Sequence, residues 1–458
     1  MDLRTEIALL LIVFSFSVGQ FRSFAAAAAR QEEEGHPYMF NEEDFTTHIE
    51  SEEGGIQILQ SFVERSELLR GVEDYRVAIL RANPRTFVLP VHFDAESILF
   101  VTQGRATIKL VRKNKLESVS VQRGDIIRIN AGVPVYIINN EENEELWIVN
   151  LLKSVSVPGS VQAFYGAGGQ NPETFYRAFS TELLEAALNS EKRKWGGIFK
   201  EQKRGIVVKA SPGQLEELSR RGSEEEEDGL WPFGKKESKK NKAFNLLKKD
   251  PSMSNKYGRF HEVDSDDYDR LRDVDVIVAY ANITKGSMAG PVYNSRGHKI
   301  AIVVRGEGYF EMACPHVSSR GSSQRHEGGG GKSEKELQKS KRKGAPTYQK
   351  IRGQLRPATV LVVPPGHPVA MVSSWSPSHG NKDQNLQILF FQVNGQGYVK
   401  YPLAGKGNII SRMEDEAKKL AFDTSSRKID DVFGAQEEEL FFRGPKQWRE
   451  GNKGRADA

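Results

Sequence analysis

Lys299-Ile300-Ala301-Ile302-Val303-Val304-Arg305-Gly306-Glu307-Gly308 decides the fold. An apolar run, a turn glycine and the start of a second, alternating strand follow one another without a break. Ser97-Ile98-Leu99-Phe100-Val101-Thr102-Gln103-Gly104-Arg105-Ala106 repeats the pattern, with the two glycines 202 residues apart. Downstream, Gly124-Asp125-Ile126-Ile127-Arg128-Ile129-Asn130-Ala131-Gly132-Val133-Pro134-Val135 has its counterpart in Pro357-Ala358-Thr359-Val360-Leu361-Val362-Val363-Pro364-Pro365-Gly366-His367-Pro368-Val369. Here Gly132 and Gly366 are 234 apart, and the extra 32 residues fall in a Ser-, Gly-, Lys- and Arg-rich stretch. That stretch reads as a disordered insertion, residues 317–346.

Each copy runs into a helical tail. Tyr176 to Leu188 is amphipathic, with Ser180 or Thr181 as its cap. Ile410 to Phe422 matches it, with Ser411 as cap and Glu414, Asp415 and Glu416 in the first turns. The sequence therefore predicts a mainly-β chain of two barrels, each followed by a helical arm. Opposed charge blocks, Glu224 to Asp228 and then Lys235-Lys236 and Lys239-Lys240, mark residues 222–243 as a linker. The modules are expected at 36–205 and 244–445.

The 458 residues are more than one core holds, and 38% hydrophobic with 28% charged residues suits a globular chain with polar insertions. A net charge of only +4 gives no argument for nucleic acid, and the basic run Lys332 to Lys343 reads as a solvated loop. The N-terminus carries Arg4, an apolar run from Ile7 to Val18 and the small residues Ala25 to Ala29. This is the pattern of a cleaved signal peptide, residues 1–29, and the run is short of a membrane span. Cys314 is the only cysteine, so no intrachain disulfide forms and stability must come from packing and assembly. Asn282-Ile283-Thr284 is the only glycosylation sequon.

The strand–glycine–strand segment followed by Pro-x-Gly resembles the two motifs of the cupin superfamily. Gly286 to Arg296, Gly306 to His316, His36-Pro37-Tyr38-Met39-Phe40, Tyr401-Pro402-Leu403-Ala404-Gly405 and Gln436 to Phe442 are similar to words of the vicilin-type (7S) seed storage globulins. The resemblance covers about residues 36 to 445. It implies two cupin (jelly-roll) β-barrels, a homotrimer joined through the helical arms, deposition in seed storage vacuoles and hydrolysis at germination. Small-ligand or carbohydrate binding in a barrel is the alternative of a different class.

Enzymatic cupins hold a metal with two histidines, a glutamate and a last histidine after the Pro-x-Gly turn. Counted from Gly104, the glutamate slot falls on Ser97 and the last histidine slot on Val135, leaving His92 near the paired-histidine slots. Counted from Gly306, the slots fall on Lys299, Val369, and Val292 and Asn294; His298 reads as a rim residue. Neither set survives, so no catalytic residue is assigned. A different cluster stands out. Phe310, Met312, Cys314 and His316 share one strand parity, matching Ile108 and Leu110 in the first copy. His367, two residues before Val369, shares the parity of the lost slot. Cys314, His316 and His367 are therefore expected to meet at one barrel end, with Tyr38 as a further neighbour. One thiolate and two imidazoles suit copper, or zinc, one ion per C-terminal module. Such a copper ion would also allow redox handling of superoxide.

Overall fold

The computed structural model describes residues 36–113, 115–224, 243–315, 348–375 and 384–445. The signal segment 1–29, the insertion 317–346, His316 and most of the linker lie outside them.

Each module is built from a seven-stranded and a six-stranded sheet, all antiparallel. The strands quoted first, Ala95–Gln103 and His298–Arg305, sit inside the seven-stranded sheets. Their continuous apolar character has a physical cause, because both faces are covered. One face looks into its own barrel. The other packs module against module, through Ile98, Phe100, Val149 and Leu151 on one side and Val278, Tyr280, Leu389 and Phe391 on the other, all buried. Phe100 and Tyr280 stack across this junction, centroids 5.9 Å apart. The six-stranded sheets have one exposed face, and their strands alternate. In Gly308–Cys314 the even positions are buried and the odd ones only partly so. Gly104 and Gly306, with φ of 83° and 81°, take the left-handed turn that a side chain resists.

The modules exchange strands. Met39–Phe40 pairs with Val360–Val363 and so belongs to the second barrel. Phe244–Asn245 pairs with Asp125–Ile129 and belongs to the first. The two acceptor strands are the repeat's equivalent elements, so the exchange is reciprocal. The module limits expected at 36–205 and 244–445 thus cut across the sheets at both N-terminal ends. Buried Arg128 also bridges the modules, donating to Glu96 at 3.1 Å, Asp273 at 2.9 Å and the Arg270 carbonyl at 3.1 Å.

The first arm contains helices Thr181–Leu188, Lys192–Trp195 and Ile198–Glu201. Ser180 is the cap, its side chain accepting from the Leu183 amide. The residues before it, Phe175–Ala178, form a 3-10 turn rather than the start of an α-helix. The second arm differs from expectation at its start. Its helices are Asp415–Phe422 and Ser426–Phe433, and the first begins after Glu414, not at Ser411. Asn408 is the reason: its amide donates to Ser411 Oγ, the Gly405 carbonyl and the Phe433 carbonyl, holding residues 408–411 in a turn. The expected linker is likewise shorter at its start, because a helix runs over Pro212–Glu224.

Candidate functional site

The lost cupin slots point where counting placed them. Ser97 and Val135 line a cavity of about 50 Å³ inside the first barrel, with Leu80, Val91 and Leu99 around them and Asn150 as a polar neighbour. An apolar wall with one hydroxyl, Ser97, and two amides, Asn130 and Asn150, offers a transition metal no ligand set. His92 is not part of this lining; its ring stacks on Phe164 at 5.1 Å and meets Phe175 edge-on. In the second barrel Asn294 donates to Gln392 Oε1 at 2.7 Å, and Val369 is buried. His298 is no solvent-facing rim residue: its ring lies against Gly71 of the first module, where a Cβ would come within 2.2 Å of Cε1. Gly71 is thus needed for the close approach.

Cys314 ends its strand fully buried, on the parity of Phe310 and Met312, and Pro315 begins the following turn. His367 follows the Pro364–Gly366 turn and is 4% exposed. Tyr38, brought in by the exchanged N-terminal segment, joins the two. Its ring lies 6.0 Å from that of His367, and its hydroxyl faces the Cys314 thiol without a hydrogen bond of normal geometry. His36 completes the group, its ring 6.3 Å from Tyr38 and 5.5 Å from Phe310. His36 was not among the expected ligands: it stands before the two-residue strand Met39–Phe40, which is too short to show a period.

Burial sets the electrostatics of this pocket. It pushes the Cys314 thiol up to about 12, with the Tyr38 hydroxyl beside it acting weakly in the other direction. It also pushes His36 down to about 4, assisted by the Arg65 charge. The imidazole is therefore neutral and ready to ligate, whereas the thiol keeps its proton until a cation displaces it. His36 Nε2 is buried with no hydrogen-bond partner among the described residues. Among those residues no group of three or more His, Cys, Asp or Glu is placed to hold a metal; His316, the third expected ligand, lies outside them. The donors that are described are the Cys314 thiol and the imidazoles of His36 and His367, ligand types that copper and zinc accept.

Asn282, in strand Val276–Ile283, pairs with Arg259 on one side and Gln387 on the other, and its Oδ1 is buried.

The comparisons agree with this geometry. The cupin family (Cupin) matches residues 69–192 and 244–430, so the fold and its stripped slots define a bicupin without the usual metal set. A vicilin of Juglans regia is 50% identical over 92% of this chain and 81% of its own length. A vicilin of Corylus avellana is 49% identical over 93% of this chain and 87% of its own. The crystal structure of the hazelnut protein superposes with a TM-score of 0.76 at 47% identity, covering 89% of this chain and 99% of that one. The chain belongs to the vicilin family and is a 7S seed storage globulin.

Proposed function

We propose that this globulin serves as a reservoir in the form of a homotrimer, deposited through the secretory pathway in the seed's protein storage vacuole and turning over no substrate. The absence of turnover is supported by Ser97 and Lys299, which replace the carboxylate that a cupin enzyme needs. The observation that carries the trimer is the set of apolar side chains left uncovered on the arms: Leu183 at 51%, Ile198 at 61%, Val432 at 66% and Leu420 at 85% exposure. Apolar area of this kind on an amphipathic arm is covered by another subunit. Leu420→Asp combined with Val432→Asp should convert the trimer to monomers in size-exclusion light scattering. An unchanged trimer mass would reject the arms as the interface.

A second reading rests on the Tyr38 pocket. There Cys314, His316 and His367 hold copper, or zinc, with Tyr38 beside them. Bound copper would supply a one-electron couple. Elemental analysis of protein prepared without chelators should find about one ion per chain, and Cys314→Ser should remove it. Metal-free native protein would sink this reading.

A further inference from the structure

Lys299 takes the place in the second barrel that Ser97 takes in the first. Ser97 pairs with Ile129 and Leu152, Lys299 with Val363 and Gln392. The ammonium therefore sits where a cupin enzyme would hold its metal-binding carboxylate. Its surroundings are unusual. The nearest carboxylate, Glu262, is already engaged: Lys400 Nζ donates to its Oε2 at 2.8 Å, and the Tyr398 hydroxyl donates to the same oxygen. Lys299 Nζ makes no ion pair or hydrogen bond among the described residues; it faces the Phe390 ring at 5.9 Å. Gln392, 2% exposed, accepts from Asn294 and leaves its own Nε2 buried with no acceptor among the described residues. The one carboxylate beside the two ammonium groups is thus taken by Lys400 and Tyr398, and the Gln392 amide N–H is left without an acceptor among the described residues.

We propose that Lys299 is a reactive amine that condenses with a small oxo-acid, its carbonyl carbon bonding to Nζ and its carboxylate lying against Lys400 and Gln392. The chemistry balances without an oxidant or reductant. The Nζ lone pair forms the C–N bond as the carbonyl π pair moves to oxygen. That oxygen takes a proton, and the carbinolamine then loses water to give the imine. Such attack needs an unprotonated amine, and a lysine becomes one when it is desolvated beside another cation. Burial, with the Lys400 charge second, brings Lys299 down to about 7.

The test uses the full-length protein with glyoxylate and cyanoborohydride at pH 7, which converts the imine to a stable carboxymethyl-lysine located by peptide mapping. Lys299 should be labelled about tenfold faster than exposed Lys248, which has no desolvated surroundings and no subsite for the carboxylate. Acetaldehyde, which lacks the carboxylate, should label Lys299 several-fold more slowly. Lys400→Met, with its thermal midpoint checked, should slow glyoxylate labelling at pH 7, because Lys299 then keeps its proton beside Glu262. Labelling of Lys299 no faster than Lys248, or a rate unaltered by Lys400→Met, would overturn the proposal. Equal rates for the two aldehydes would remove the carboxylate subsite from it.

Discussion

Lys299 shows what a single half-buried, poorly solvated charge does to the stability of this fold. Its unfolded value is 10.5 and its folded value about 7, with burial the main cause. Between those pH values the unfolded chain carries a proton that the folded chain lacks, so stability rises with pH across that window. Below pH 7 the full cost of the buried charge persists. Lys299→Met, which fits the same wall without charge and leaves the Glu262–Lys400 pair intact, should therefore stabilise the protein by about 2 kcal/mol at pH 7. The gain should vanish above pH 10.5. Urea unfolding of both proteins across this range checks the sign and the window. The replaced slots were legible from counting, since Ser97, Lys299, Val135 and Val369 are fixed by distance from Gly104, Gly306 and the two Pro-x-Gly turns. The partners of Lys299 were not. Glu262, Phe390 and Lys400 come from three other strands, and no local pattern ties them together.

At the scale of elements, the legible parts are those whose pattern is set by what lies on each face. Continuous apolar runs at 98–101 and 300–304 mean two covered faces. Alternation after Gly306 means one. The Ser180 cap was readable because a cap acts within three residues, whereas the turn that displaces Ser411 depends on Asn408 reaching the Phe433 carbonyl. The exchanged strand Met39–Phe40 was hidden for the same reason: it finds its partner more than 300 residues away. Its weight can be measured. Phe40 is fully buried, meets Phe62 edge-on at 5.5 Å and lies under the Arg65 guanidinium at 5.2 Å. Phe40→Ala removes the ring from a packed site and should cost about 3 kcal/mol. A urea midpoint within error of the parent would show that the N-terminal segment contributes little.

For the whole molecule, the sequence duplication suggests two independent units, and the structure gives a reason to expect one. Each barrel borrows a strand from the other module, the outer faces of the seven-stranded sheets are buried against each other, and Arg128 ties Glu96 to Asp273 across the junction. Opening either module therefore exposes the apolar face of its neighbour. A domain boundary normally crosses few contacts and leaves each side its own core; here a large part of the core is the boundary. The two modules should consequently unfold together, as one calorimetric transition at fixed protein concentration. Arg128→Met combined with Phe40→Ala loosens both ties and should broaden or split that transition, whereas either change alone should only lower its midpoint. Two well-separated transitions in the parent protein would mean that the strand exchange and the shared core do not couple the modules.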